Sequence, residues 1–146
     1  GLGDVYKRQI EYNVRMGDPE TEVVFPRLKN DMLELLNSMG TPKFNDIKLS
    51  ITENHAATVI LVSGGYPESY EKGKTITGLN DISNELIFHA GTIKKDNTFI
   101  TNGGRVLAVT STAKDFKKAL KNSYSKIDKI NFDEMNYRND IGFDLL

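Results

Sequence analysis

Apolar and polar residues alternate along residues 10–16 of this 146-residue chain. Because successive side chains of a strand point to opposite faces, this alternation predicts a strand with one apolar face and one polar face. The polar face would carry a carboxylate, an amide and a guanidinium in one row: Glu11, Asn13 and Arg15. After the strand, Gly17 permits a tight turn, and Asp18 and Pro19 are typical of the N-cap and the first residue of a helix.

A second pattern, with the period of a helix, runs over residues 28–39. It predicts an amphipathic helix whose apolar residues, methionines included, belong to the core. Gly40 is typical of the residue that ends such a helix. Residues 43–46 read as a linker, so we expect one domain to end at residue 42 and another to span residues 43–146.

Beyond the linker the pattern predicts mainly strands. The uninterrupted apolar run at residues 56–62 is typical of a strand buried on both faces. Hairpin turns are predicted at residues 94–97 and at Asn102–Gly103. An ion pair between Arg138 and Asp140 is predicted near the C-terminal end of the sequence. Four short strands and a closing helix with Thr112 as its N-cap complete the prediction, at residues 75–79, 86–93, 98–101, 105–110 and 112–129.

Composition narrows the classes of function. The net charge is −1, so no overall field favours nucleic acid or an anionic membrane. The chain has no cysteine, which excludes disulfides, thiolate zinc sites and a cysteine nucleophile. The lack of cysteine fits a reducing compartment, and no apolar run approaches the length of a membrane span, so we expect a cytoplasmic protein.

The polar row at residues 11–15 has two interpretations. One is an ordinary half-buried strand with a solvated polar face. The other is a cation site, because a carboxylate beside an amide oxygen suits magnesium and an arginine one step further suits a phosphate held by that cation. The glycine pairs at residues 64–65 and 103–104 are likewise either plain turns or places where backbone approaches a substrate closely. His89, alone in a predicted strand, is interpreted as structural.

A family resemblance bears on these alternatives. Glu-x-Asn-x-Arg followed by Gly-Asp-Pro-Glu-Thr, at residues 11–21, resembles the magnesium-binding strand of ATP-grasp ligases, and in this wording the phosphoribosylamine–glycine ligase family. Three later stretches occur in the order and spacing of that family's C-terminal part, at residues 64–67, 88–92 and 101–107. The resemblance covers residues 10–146, whereas residues 1–9 do not match and look like a cloning or sequence-assembly scar.

The resemblance implies an α+β fold. The terminal strand and helices of an ATP-grasp domain would occupy residues 10–42. A mostly antiparallel, barrel-like C-terminal domain with a packed helix would follow. The lobes that bind adenine and most of the phosphates would be missing from this chain, so we expect it to be inactive when isolated.

The resemblance also implies a reaction and roles for individual residues. ATP and magnesium or manganese would drive the joining of glycine to 5-phosphoribosylamine in purine synthesis, through glycyl phosphate. Glu11 and Asn13 would bind the metal, and Arg15 would steady the transferred phosphate as the catalytic residue. The substrate-binding residues would be two that hold amines and two loops that cover the phosphoribosyl side: Asp18 and Glu20, then Gly64, Gly65 and Tyr66, then Asn102, Gly103, Gly104 and Arg105.

Two other readings of the chain remain open at this point. It could be a stand-alone binding module without chemistry, or the C-terminal part of another ATP-grasp carboxylate–amine ligase. The stretches at residues 64–67 and 101–105 favour the phosphoribosylamine–glycine ligase family over another ATP-grasp ligase.

Overall fold

The computed structural model describes residues 13–82 and 86–145. Within these ranges the chain forms six strands and three α-helices, with short 3₁₀ turns between them. The strands are β1 (His55–Val62), β2 (Thr75–Ile76), β3 (Leu86–His89), β4 (Thr92–Lys95), β5 (Thr98–Thr101) and β6 (Arg105–Ala113). The helices are α1 (Thr21–Val24), α2 (Met32–Ser38) and α3 (Phe116–Ile127).

The strands form two antiparallel sheets of three strands, in the orders β1-β6-β3 and β2-β5-β4. Helix α3 packs on the first sheet, against β1 and β6. An α+β fold with antiparallel strands and a packed helix is therefore confirmed. The barrel-like closure is not: the described strands make two open sheets, because β1 and β3 are both edge strands of the first sheet.

One long, bent hairpin connects the two sheets. Its tip is Asp96–Asn97, whose φ angles of 45° and 63° suit a tight hairpin turn, as predicted for residues 94–97. The hairpin passes from one sheet to the other where Gly91 meets Gly103, and a Cβ on Gly103 would lie 2.9 Å from the Gly91 Cα. Asn102–Gly103 is therefore a crossing point between sheets, and the hairpin turn predicted there is wrong.

Strand β1 alternates between buried and partly exposed residues, so the predicted burial on both faces is wrong. Its inner face, with Ala57, Val59 and Leu61, meets β6 and α3 in the core. The inner face of α3 contributes Ala119, Leu120, Ser123 and Ile127. Ser123 is fully buried, and its hydroxyl donates a 3.0 Å hydrogen bond to the carbonyl of Ala57.

Helix α3 begins later than predicted. Thr112 still belongs to β6, where it pairs with Ala56, so it cannot cap the helix. The N-cap is Asp115, whose Oδ1 accepts a hydrogen bond of 2.9 Å from the backbone N–H of Lys118.

The N-terminal segment departs most from expectation. Of the strand predicted over residues 10–16, residues 10–12 lie outside the described ranges, and residues 13–16 are not in a strand but bend at 14–15. Helix α1 begins at Thr21, beyond Pro19. The helix predicted over residues 28–39 is only the seven-residue α2, capped by Asp31. The predicted burial of its apolar stripe is only partial: Leu28, Met32 and Leu35 are half-buried, whereas Leu36 and Met39 are 54% and 59% exposed.

No helix in residues 13–82 or 86–145 combines the length and the apolar content that crossing a membrane requires.

Candidate functional site

Two glycine-containing loops come together where β1 ends and β6 begins. The antiparallel pairing places Val62 opposite Arg105, so the loop at residues 63–67 lies beside the loop at residues 102–104. Ser63 ties them together: its backbone N–H donates to the Gly104 carbonyl and its hydroxyl to the Gly103 carbonyl, each at 2.9 Å. The proximity of the two loops is thus a consequence of strand pairing.

The glycines of the first loop are required by the packing of the chain itself. A Cβ on Gly64 would lie 2.6 Å from the Cβ of Glu134, and one on Gly65 would overlap the Ser69 carbonyl. Gly65 also has a φ of 89°, a backbone conformation that residues other than glycine rarely adopt. Close packing therefore accounts for both glycines without a substrate.

Tyr66 covers the second loop. Its half-buried ring occupies the space that a side chain at Gly104 would need, since a Cβ there would overlap the ring. The ring thereby stands next to Arg105, at the entrance to a cleft.

The N-terminal turn reaches the same place. Arg105 Nη1 donates a 3.0 Å hydrogen bond to the main-chain oxygen of Asp18, and the Asp18 carboxylate Oδ2 is 3.6 Å away. The structure therefore brings Asp18, Tyr66, Gly104 and Arg105 together. Local sequence does not indicate the contact between Asp18 and Arg105, because the two residues lie 87 positions apart.

The other predicted site residues are placed less centrally. Asn13 and Arg15 are exposed in the bend, and Arg15 Nη1 donates to the carbonyl of Met16 at 2.7 Å. The Glu20 carboxylate lies over Gly17, where a Cβ would be 2.8 Å from Oε2. Glu11 lies outside the described residues.

A cleft of about 580 Å³ opens beside this cluster, along the outer edge of β1. Pro19, Tyr66 and Arg105 line one side, and the C-terminal segment with Asn136, Tyr137 and Arg138 lines the other. Arg138 lines the cleft as well as forming the ion pair that the sequence predicted for it.

The Arg138–Asp140 ion pair is confirmed, with Nε–Oδ1 and Nη2–Oδ2 contacts of 2.9 Å and 2.8 Å. Hydrogen bonds from Arg138 lower the pKa of Asp140, and the same bonds raise the pKa of Arg138. Both groups therefore stay charged at neutral pH at the margin of the cleft.

The donor groups of the described residues do not make a metal site. Among residues 13–82 and 86–145 there is no group of three His, Asp or Glu side chains that could hold an ion. Of the two predicted magnesium ligands, Asn13 is exposed within these ranges and Glu11 lies outside them. The magnesium site with Glu11 and Asn13 remains a prediction.

His89 belongs to the packing of the bent hairpin. Its ring lies on Phe99, with 4.4 Å between ring centroids, and Nδ1 is 2.9 Å from the Thr92 hydroxyl. Partial burial lowers the pKa of His89 below its usual 6.5, which favours the neutral ring.

Comparison with known proteins identifies relatives of this chain. A family model described as the C domain of phosphoribosylglycinamide synthetase matches residues 56–144. A phosphoribosylamine–glycine ligase from Chlorobaculum tepidum is 43% identical over 136 residues, which cover 91% of this chain and 32% of the relative. A bifunctional purine biosynthetic protein from Dictyostelium discoideum is also 43% identical, covering 91% of this chain and 17% of its own length.

A solved structure has the same fold. The crystal structure of a phosphoribosylamine–glycine ligase from Thermotoga maritima superposes with a TM-score of 0.73 at 36% identity, over 90% of this chain and 32% of that one.

Fold and relatives together define a ligase C-terminal domain with an appended upstream segment. The chain belongs to the phosphoribosylglycinamide synthetase C-domain family. It spans about a third of the length of the single-function curated relatives that it matches.

Proposed function

We propose that this chain is the C-terminal part of a phosphoribosylamine–glycine ligase. Such an enzyme would act in the cytoplasm and join glycine to 5-phosphoribosylamine in purine biosynthesis, with ATP and magnesium or manganese, through glycyl phosphate. The relatives, which are phosphoribosylamine–glycine ligases, support this proposal, and the contact of Arg105 with Asp18 carries it at the level of the site. That contact joins the Gly-Asp-Pro-Glu turn to the Thr-Asn-Gly-Gly-Arg loop, the two stretches on which the family resemblance depends most.

The chemistry of the cluster suits an anionic substrate. An arginine has five N–H donors, and among the described residues Asp18 is the hydrogen-bonding partner of the Arg105 guanidinium. The donors left over can bind a phosphate, and the side chain is 42% exposed at the cleft. We assign Arg105 to the phosphate of 5-phosphoribosylamine, Arg15 to the transferred phosphoryl group, and the carboxylates of Asp18 and Glu20 to the amine substrates.

The remaining assigned residues shape the cleft. Gly64, Gly65, Asn102, Gly103 and Gly104 allow the two loops to pack closely, with the Tyr66 ring beside Arg105. A water-excluding wall next to a guanidinium strengthens its interaction with a phosphate, because the local dielectric constant is lower than in bulk water.

The segment that precedes the matched domain supports a larger parent enzyme. Of the fourteen exposed large apolar side chains in the described part of the chain, ten lie in residues 13–51. Exposed apolar surface of this kind usually marks an interaction surface. Because the curated relatives are about three times as long, we assign this surface to the upstream lobes of the same ligase.

A chimeric enzyme tests the proposal. Residues 10–146 would replace the corresponding third of the Chlorobaculum tepidum relative, and ADP release would be measured with glycine, 5-phosphoribosylamine and ATP. We expect activity that depends on both amine substrates. In the chimera, Arg15→Ala should lower turnover by about 10²-fold, as for other groups that stabilise developing charge. The exposed Arg27→Ala is the matched control.

Two results would contradict the proposal: a folded chimera without activity, or an Arg15→Ala chimera with the unmutated rate. The unfused chain gives a separate check by calorimetry with ATP and magnesium. We expect no micromolar binding, and micromolar binding would show that the nucleotide site does not lie in the upstream lobes.

A further inference from the structure

One side chain makes the polar contacts between the turn at residues 17–20 and the C-terminal domain. Arg105 Nη1 donates to the main-chain oxygen of Asp18 at 3.0 Å, with the Asp18 carboxylate at 3.6 Å. Within the described ranges, these are the hydrogen bond and ion pair that connect residues 17–20 with residues 55–145.

The backbone from which Arg105 projects is held on both sides. The N–H of Gly91 donates to the Arg105 carbonyl at 2.8 Å, and the N–H of Ser63 donates to the carbonyl of Gly104 at 2.9 Å. Arg105 also sits opposite Val62 in the antiparallel ladder. The Arg105 side chain therefore projects from a backbone position that hydrogen bonds of the sheet hold in place.

The turn is closed on itself. The N–H and the hydroxyl of Thr21 both donate to the Gly17 carbonyl, at 3.1 Å and 2.6 Å. Helix α1 then continues from the turn, and none of its residues is buried. Most of α1 is half-buried against β1 and β6, whereas residues 18–20 of the turn are exposed, so the polar contact from Arg105 has most influence on where the turn itself sits.

We propose that Arg105 is a positioning residue. It holds the turn at residues 17–20 against the glycine loops and thereby fixes where the preceding polar residues, Asn13 and Arg15, stand relative to the cleft. The 3.0 Å bond goes to a main-chain oxygen, so a single N–H donor at this position is sufficient. The kinetic consequence rests on the proposed function, whereas the structural consequence does not.

The structural consequence is tested on this chain by backbone ¹⁵N relaxation. In Arg105→Gln, the side-chain amide ends two bonds short of the position of Nη1 and cannot reach the Asp18 oxygen, so the order parameters of Glu20 and Thr21 should fall from rigid values to below about 0.6. Arg105→Lys should keep them close to the unmutated values, because one ammonium N–H can replace Nη1. Arg138→Gln is the matched control, since Arg138 lines the same cleft but bonds to Asp140, and it should leave the turn unchanged.

Two further observations make this result decisive. Unchanged amide shifts at Leu107 and Val109, both fully buried in β6, would show that Arg105→Gln keeps the core folded. Asp18→Asn should leave the order parameters unchanged, because it retains the main-chain acceptor. Rigid residues 20–21 in Arg105→Gln would overturn the proposal, as would an equal loss in Arg138→Gln.

The kinetic consequence is tested in the chimera. If Arg105 positions the turn, Arg105→Gln should lower kcat by tenfold or more, and Arg105→Lys should restore most of it. Loss of the phosphate contact proposed above would in addition raise the KM for 5-phosphoribosylamine, and lysine would not reverse that rise. A raised KM with an unchanged kcat in Arg105→Gln would contradict the positioning role. A wild-type chimera without activity would reject the proposed function and leave the relaxation result as the test of the positioning role.

Discussion

Glycines and their neighbours decide the geometry of the site at the scale of single residues. Gly104 is buried under the ring of Tyr66, while Gly17 faces the flexible end of the Glu20 side chain. An added methyl group would thus meet a ring in one place and a movable carboxylate in the other.

We expect Gly104→Ala to lower the free energy of unfolding by about 1–3 kcal/mol, because the Tyr66 ring must shift to make room. Gly17→Ala is the control and should change it by less than about 0.5 kcal/mol. Urea unfolding of the two variants measures the difference. Equal effects would mean that the Tyr66 ring is free to move.

His89 makes the stability of the fold depend on pH. Its pKa is lowered in the folded state, so below the unfolded value of about 6.5 the unfolded chain binds more protons. The contribution of His89 to stability is therefore complete above pH 6.5 and is lost as the pH falls from there towards the folded pKa.

The prediction for His89 is that His89→Gln reduces the change in unfolding free energy between pH 5 and pH 7.5. Glutamine keeps a polar atom for Thr92 and does not titrate. Urea unfolding at several pH values measures the slope, and an NMR titration that gives His89 a pKa at or above 6.5 would contradict the explanation.

At the scale of an element, the N-terminus of helix α3 depends on one capping residue. Asp115 accepts a hydrogen bond from the backbone N–H of Lys118, whereas Thr112, the N-cap predicted from the sequence, belongs to β6. We expect Asp115→Ala to cost about 1 kcal/mol of stability, since an orphan N–H loses its acceptor. Asp115→Asn should cost little because asparagine caps equally well. Thermal unfolding compares the two, and equal losses would show that the carboxylate acts by charge alone.

At the scale of the whole molecule, the described chain divides into a packed core and an N-terminal segment that leaves large apolar side chains exposed. The core lies between the β1-β6-β3 sheet and α3, whereas α2 and the residues around it present apolar side chains outward. This division matches the family model, which begins at residue 56.

Paired substitutions test this division. Leu107→Ala should lower the free energy of unfolding by about 2–5 kcal/mol, because Leu107 is fully buried and its loss leaves a cavity. Leu33→Ala, at a side chain that is 67% exposed, should change it by less than about 0.5 kcal/mol in this chain. A large loss for Leu33→Ala would mean that α2 is packed into a core of its own.

Local signals in the sequence predicted local structure well. Asp96–Asn97 forms the predicted turn because aspartate and asparagine tolerate positive φ, and no distant contact opposes it. The closing helix was predicted at residues 112–129, and α3 lies within that range with Leu120 and Ile127 buried. The resemblance at residues 11–21, 64–67 and 101–107 led to the family that the comparisons show.

Long-range pairing decided the rest. Asn102–Gly103 has the sequence of a hairpin turn but became a crossing between sheets, because β5 pairs with β4 and β6 pairs with β1 and β3. Thr112 stayed in a strand because Ala56 pairs with it. Arg105 meets Asp18 only once the sheet has placed them together, since the interaction of residues far apart in sequence depends on the path of the folded chain.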